Sequence, residues 1–205
     1  MFLLSAITRS WRNRQIDAYR SNLRRIEAAG SKLAKVNESD LKKASLALRY
    51  RALSGTSLDQ LLPESFALVR EASRRALKMS HYDVQLLGGV SMHSRGIAVM
   101  QTGEGKTLTA TLPLFLASLN GRGSHLATAN DYLAQRDAQL MRPLFELLGC
   151  SVGIVCSDTG RPERLAAYAC DVTYTTAKEI GFDFLRDRLL RRQMETGQVD
   201  RKSVV

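Results

Sequence analysis

The sequence lacks any apolar run of about eighteen residues, the length that a membrane-spanning helix needs. It also lacks a secretory leader, since the apolar start Met1–Ile7 is short and no cleavage-like site follows it. We therefore expect a cytosolic protein. Cysteine is scarce: Cys150, Cys156 and Cys170 are odd in number and show no Cys-x-x-Cys spacing. This usage predicts reduced thiols in a core, because disulfides and zinc sites need paired or clustered cysteines.

Acidic residues are scarce in the first fifty positions. Seven Arg and four Lys face Asp17, Glu27, Glu38 and Asp40 there, an excess of seven within a net charge of +10. Such a basic head predicts contact with an anionic phospholipid surface, an acidic partner or nucleic acid, although a solvated helix face has the same composition. The composition disfavours nucleic acid as the partner, because stacking platforms for bases need aromatic residues and these make up only 6% of the chain.

A glycine-rich stretch beginning at Gly96 is the feature around which the rest of the chain is organised. An apolar run predicts a buried strand over Gly96–Met100, followed by Gly-Glu-Gly-Lys-Thr and a helix. The glycines let backbone N–H groups turn toward phosphate oxygens, Lys106 adds a mobile positive charge and Thr107 offers a hydroxyl to Mg²⁺. The pattern predicts a P-loop for ATP or ADP, of a variant kind because Met100 stands where a glycine is usual. An ordinary strand-to-helix loop is the alternative.

Short β-type runs alternate with helical periods after residue 96, which favours a P-loop α/β fold with a parallel sheet and helices on both faces. The predicted strands are Gly96–Met100, Ser124–Ala129, Ser151–Val155 and Val172–Thr175. The predicted helices are Lys106–Leu119, Asp131–Leu148, Pro162–Ala169 and Lys178–Leu190. We expect the P-loop, Asn130–Asp131 and Thr175–Thr176 to converge on one crevice at the carboxyl ends of the strands.

Residues 1–80 show helical periods throughout. A basic amphipathic helix is expected from the start to about Gly30, a second over Asp40–Leu53 with Ser39 as its cap, and a third from Pro63 to about Lys78. The sequence therefore predicts a helical extension over residues 1–80, packed on a nucleotide-binding domain over residues 81–205.

A polar and aromatic segment precedes the P-loop strand. Gln85 can both accept from and donate to the edge of adenine, while Met79 and Tyr82 offer a stacking surface. Further along, Asn130–Asp137 begins a helix at the mouth of the second strand. Its polar groups either couple the nucleotide to a moving partner or form a helix cap followed by solvated side chains.

A P-loop hydrolase needs an acidic residue at the end of a neighbouring strand to hold Mg²⁺, and usually a second to polarise water. No apolar strand after Thr107 ends in Asp-Glu, and Asp171 precedes its strand. The sequence thus predicts a chain that holds a nucleotide but does not hydrolyse it alone.

Four blocks, in the same order, resemble the SecA preprotein translocase motor. They are Asp83-Val84-Gln85-Leu86-Leu87-Gly88-Gly89, Met100-Gln101-Thr102-Gly103-Glu104-Gly105-Lys106-Thr107-Leu108, Asn130-Asp131-Tyr132-Leu133-Ala134-Gln135-Arg136-Asp137 and Gly181-Phe182-Asp183-Phe184-Leu185-Arg186-Asp187. The resemblance implies a RecA-like fold of the helicase superfamily 2 type. It also implies an ATP-driven motor that moves preproteins through the SecYEG channel, at anionic lipid on the inner face of the cell membrane. Whether two copies form a homodimer is left open.

The same resemblance assigns the site residues. Met79 and Gln85 would lie at adenine, with Tyr82 where the family has an aromatic residue. Lys106 and Thr107 would be the catalytic pair, with Thr107 as the Mg²⁺ ligand. The residues assigned to the nucleotide are Met79, Tyr82, Gln85, Gly103, Glu104, Gly105, Lys106 and Thr107.

The chain departs from the family at Thr175-Thr176-Ala177-Lys178-Glu179, where Gly-Thr-Asn-Asn-Glu is usual. The Asp-Glu-x-Asp strand of the family, its crosslinking domain and its second motor domain would all follow Val205. We therefore expect the first part of a larger motor. The rival hypotheses are a non-catalytic adaptor that docks at membranes and a nucleic-acid translocase.

Overall fold

The structure, a computed structural model, describes residues 19–195. The described helices are α1 (residues 19–33), α2 (Glu38–Leu53), α3 (Leu58–Ala76), α4 (Asp83–His93), α5 (Lys106–Ser118), α6 (Asp131–Leu147), α7 (Arg161–Tyr168) and α8 (Ala177–Glu195). The strands are β1 (Ser124–Thr128), β2 (Val152–Ile154) and β3 (Val172–Thr176). The expected basic amphipathic start falls largely in residues 1–18, outside the described part. Within residues 19–195, no helix is both long enough and apolar enough for a membrane crossing.

The three strands form a parallel sheet in the order β1-β3-β2. Tyr174 of the central strand lies opposite Leu126 on one side and Ile154 on the other. Every residue of β3 is buried, which is the environment in which β-branched and aromatic side chains such as those of Val-Thr-Tyr-Thr-Thr are stable. The predicted parallel α/β class is therefore confirmed.

The connections between the parallel strands place helices on both faces of this sheet. Helix α6 carries the chain from β1 over β3 to β2, and α7 carries it back from β2 to β3. Because parallel crossovers are right-handed, these two opposite movements put α6 and α7 on opposite faces. Helix α5 packs beside α6 and on β1, and α8 packs on β3 and β1.

The helical extension shares a core with the sheet. Helices α2 and α3 pack on α6, and α3 and α4 pack on α5. One apolar cluster includes Ile26 of α1, Phe66 of α3, Phe115 of α5 and Phe145 of α6, all of them buried. The extension thus packs directly on the α/β unit. The cysteines are free thiols, with Cys150 and Cys156 buried.

Two helix starts differ from the predicted ones. Helix α2 begins one residue after Asn37, whose side chain accepts the Asp40 N–H at 2.8 Å, so Ser39 is not the cap. Helix α3 begins at Leu58 after Ser57, so Pro63 lies within the helix and does not open it. Asn37 and Ser57 are residue types that commonly cap helices, and their side chains accept the N–H groups of Asp40 and Gln60. Asn130 caps α6 by accepting the Leu133 N–H at 2.9 Å, and Gly149, with a positive φ, follows the end of the helix.

The prediction of a strand over Gly96–Met100 is wrong. Residues 96–100 have no regular secondary structure, and Ile97 and Val99 are 90% and 93% exposed. An apolar run can form a strand only where another strand pairs with it, and the sheet of residues 19–195 ends at β1 on one side and β2 on the other.

Candidate nucleotide site

The segment Gly103–Thr107, here the glycine loop, joins the extended residues 96–100 to α5. Gly103 and Gly105 adopt φ of +90° and +80°, a left-handed conformation that residues with a Cβ rarely take. Nothing lies within 4 Å of a Cβ built on Gly103. Gly105 is the N-cap of α5, and no side chain caps this helix. The loop is therefore an open turn in front of a helix start that carries positive dipole charge.

Lys106 and Glu104 connect the glycine loop to Gln101, two residues before it. The Lys106 ammonium donates to the Gln101 carbonyl at 2.9 Å, and the Gln101 N–H donates to a carboxylate oxygen of Glu104 at 2.6 Å. A carbonyl is a neutral acceptor, whereas a phosphate oxygen would form a stronger, charge-assisted bond with the same ammonium. The donors of the loop thus fit a phosphate group.

Gln85 of α4 contacts the glycine loop. Its amide oxygen accepts the Tyr82 N–H at 2.9 Å, and its amide nitrogen donates to the Glu104 carbonyl at 2.8 Å. The contact is close, because a Cβ built on Gly105 would lie 2.4 Å from the Gln85 amide nitrogen. The structure therefore brings Gln85 to the loop. Met79 and Tyr82 have exposed side chains nearby in the chain, and their contact with adenine stays a prediction.

Thr107 contacts a carboxylate that the sequence did not assign to the loop. Its hydroxyl donates to Asp137 Oδ2 at 3.2 Å, while Arg136 donates to Asp137 Oδ1 through Nε at 2.9 Å and Nη2 at 2.6 Å. Asp137 is only 7% exposed, so the expectation of a solvated side chain is wrong for it. The sequence does contain a pattern that indicates this burial: Asp137 lies three residues after Ala134 and four before Met141, on the apolar face of α6.

His81 links the segment before α4 to the first turn of α5. Its Nε2 lies 2.9 Å from the Leu108 carbonyl and 3.3 Å from the Thr111 hydroxyl, and its Nδ1 is buried without a partner among the described residues. Burial lowers the pKa of His81 to about 4; the Leu108 carbonyl opposes this shift and the charge of Arg70 adds to it. The ring is therefore neutral at physiological pH and donates to Leu108.

Acidification is expected to destabilise the fold through His81 by roughly 3 kcal/mol as the pH falls to about 4. The unfolded chain takes up a proton near the ordinary pKa of 6.5, and the folded chain only near 4. The stability that the neutral ring provides is thus complete above about pH 6.5 and lost on the way to about pH 4. Urea unfolding of wild type and His81→Gln, which keeps a donor for Leu108, measures this difference. Free-energy curves that stay parallel from about pH 7 to about pH 4.5 would contradict it.

A crevice of about 580 Å³ lies at the carboxyl ends of the strands, and the loops after all three strands line it. Asp131 accepts from the Ser157 hydroxyl and N–H at 2.5 and 2.9 Å, and these bonds lower its pKa. The predicted convergence is met by Asn130–Asp131 and by Thr176. The glycine loop, however, contributes no residue to this crevice.

An ion-pair cluster joins α7 to the Gly181–Asp187 block. Arg164, which is 9% exposed, donates to Glu179 at 2.7 Å and to Asp183 at 2.8 Å. Tyr168 donates to the same oxygen of Asp183, and Arg186 to the other oxygen. Burial alone would raise the pKa of Asp183, but these donors outweigh it and lower the pKa. Arg186 lies on the exposed face of α8, whereas Asp183 is largely buried.

The sequence analysis missed Arg164. It lies in the short helix α7, where one arginine among several charged residues shows no pattern of its own. Asp171 has a structural role. It lies directly before β3, at the end of the strand opposite the carboxyl end, and binds Ser151 and Arg49.

A parallel sheet between two helical layers, with the glycine loop at the start of α5, defines a RecA-like α/β domain. The SecA DEAD-like domain family matches residues 4–205, and the chain belongs to this family.

The chain is similar to proteins whose names describe translocase subunits. It is 54% identical over 191 residues to protein translocase subunit SecA 2 of Rhodopirellula baltica, covering 93% of this chain and 29% of that protein. It is 50% identical over 188 residues to protein translocase subunit SecA of Albidiferax ferrireducens, covering 92% and 20%. The match to SecA of Alcanivorax borkumensis is 52% over 167 residues, covering 82% and 18%. The chain thus spans less than a third of the length of these relatives.

Proposed function

We propose that this chain binds ATP or ADP with Mg²⁺ at the glycine loop, as the N-terminal nucleotide-binding part of a SecA-type motor. The motor would couple ATP hydrolysis to the passage of preproteins through the SecYEG channel. The observation that carries the proposal is the loop itself: two glycines with positive φ, followed by Lys106 and Thr107 at an uncapped helix start. Membership of the family and the names of the relatives support the motor role.

Each side chain of the loop has a task in this proposal. Lys106 would exchange the Gln101 carbonyl for an outer phosphate oxygen, and the N–H groups at the start of α5 would bind the remaining oxygens. Thr107 would offer a lone pair to Mg²⁺, which neutralises phosphate charge when bound. Gln85 would hold the Glu104 carbonyl and so keep the turn in place between the base and the phosphates.

Hydrolysis would need groups outside this chain. The acid that positions the attacking water normally follows a strand of the same sheet. Asp131, after β1, is bound by Ser157, and Asp171 lies at the opposite end of β3. We therefore propose nucleotide binding for the 205-residue chain and hydrolysis only for a longer protein.

Calorimetric titration of the chain with ADP, with and without Mg²⁺, tests the proposal. We expect saturable binding of one ADP per chain, tightened by Mg²⁺, and no release of phosphate when ATP replaces ADP. Absence of a binding isotherm at millimolar ADP would overturn nucleotide binding. Phosphate release that Lys106→Ala abolishes would overturn the division between binding and hydrolysis.

The basic start supports a second element of the proposal, a peripheral location at the cytoplasmic face of an anionic membrane. Residues 1–18 contain Arg9, Arg12 and Arg14 against a single acid, Asp17. We expect the chain to float with phosphatidylglycerol vesicles, to stay behind with phosphatidylcholine vesicles, and to lose flotation when residues 1–18 are removed. The truncation stops before Ile26, which is buried in the core. Undiminished flotation of the truncated chain would contradict this location for the contact. Membrane binding without nucleotide binding would favour an adaptor.

A further inference from the structure

The contact between Thr107 and Asp137 has a chemical consequence for a metal at the loop. A threonine hydroxyl has one proton and two lone pairs, and a cation binds only a lone pair. The proton therefore needs an acceptor that lies away from the cation. In the structure the hydroxyl donates a hydrogen bond to Asp137 Oδ2 at 3.2 Å. This leaves the lone pairs of Oγ1 for another ligand.

Asp137 is held in place for this task. Arg136 binds its other oxygen through two N–H groups, at 2.9 and 2.6 Å. The backbone of Asp137 lies in the middle of α6, whose apolar face packs on β3. A charged group on the buried face of a helix is costly unless its partners compensate it. Arg136 compensates the charge of Asp137 through Oδ1, which leaves Oδ2 for Thr107.

We propose that Asp137 is a positioning residue for Mg²⁺ at the glycine loop. Its carboxylate accepts the hydrogen bond of the Thr107 hydroxyl and so orients the lone pairs of Oγ1 toward the cation. Asp137 therefore acts through Thr107 and does not contact the cation. The inference rests on the proposed function, because it needs Mg²⁺ and nucleotide at this loop. Outer partners of metal ligands commonly alter metal affinity by about ten- to a hundredfold.

Asp137→Asn tests the inference, since Arg136 donates to the acceptor oxygen and leaves the amide NH₂, which cannot accept from a hydroxyl, on the side of Thr107. The probe is ADP, titrated by calorimetry first in EDTA and then at increasing Mg²⁺. We expect the Mg²⁺ concentration that gives half of the full affinity gain to rise about tenfold, while the affinity for ADP in EDTA changes less than twofold. Unchanged Mg²⁺ dependence would overturn the inference. An equal loss of affinity in EDTA would also overturn it, because it would show a purely structural role.

A double-mutant cycle with Thr107→Val tests whether Asp137 acts through Thr107. In that background Asp137→Asn is expected to have no further effect on the Mg²⁺ dependence. An equal effect with and without the hydroxyl would make Asp137 an independent metal ligand and overturn the positioning role. If Asp137→Asn does not fold, Asp137→Glu, which displaces the carboxylate by one methylene, is expected to show the same loss. Wild-type chain that binds no ADP would refute the proposed function itself, an outcome distinct from all of these.

Discussion

Lys106→Ala is expected to weaken ADP binding by about a hundredfold, because it removes the charge-assisted hydrogen bond to the outer phosphate. In the structure the ammonium donates a hydrogen bond to the Gln101 carbonyl at 2.9 Å, a neutral acceptor. Its removal leaves no buried charge unpaired, so the fold should lose little stability. The measurement is calorimetric titration of ADP in the presence of Mg²⁺.

Two variants serve as controls for this prediction. Lys35→Ala removes an exposed lysine in the turn after α1 and should bind ADP like wild type. Lys106→Arg keeps the positive charge with a different shape and should lose less affinity than the alanine variant. Affinity of Lys106→Ala within twofold of wild type would place the phosphates elsewhere and remove the main support for a nucleotide site at this loop.

Arg164→Ala is expected to destabilise the chain by about 3 kcal/mol or more, the cost of leaving the buried Glu179 carboxylate without its partner and Asp183 with fewer donors. Glu179 and Asp183 are both largely buried and both bind this guanidinium, at 2.7 and 2.8 Å. Arg164 also donates to the carbonyls of Cys156 and Thr159, so the same change leaves the end of β2 and the start of α7 less tightly joined. Urea unfolding followed by circular dichroism measures the loss.

Arg186→Ala is the matched control, because Arg186 binds the same carboxylate from an exposed position. Its loss should cost less than about 1 kcal/mol. Adding Glu179→Gln to Arg164→Ala should recover part of the stability, since it removes the charge that the first substitution leaves unpaired. Equal unfolding midpoints for Arg164→Ala and Arg186→Ala would show that burial of the cluster has no energetic weight.

Two apolar segments that the sequence predicts as strands have different structures. Val172–Thr176 was predicted almost to the residue, because its β-branched run is buried on both faces and has neighbours on both sides. Gly96–Met100 is the more apolar of the two segments but does not form a strand, because residues 19–195 supply no strand that pairs with it. Hydrophobic period reports which residues avoid water, and hydrogen-bond pairing is a property of two segments together.

The sequence by itself determined the parallel α/β class, the helices that precede the glycine loop within residues 19–195, and the glycine loop, because turn chemistry and hydrophobic period are encoded by residues close together in the chain. Membership of the SecA DEAD-like domain family agrees with this class. Only the tertiary structure decided which carboxylate meets Thr107 and which arginine meets Glu179 and Asp183. Asp137 and Arg164 are separated from these partners by 30, 15 and 19 residues, and such contacts depend on how α5, α6, α7 and α8 pack around the sheet.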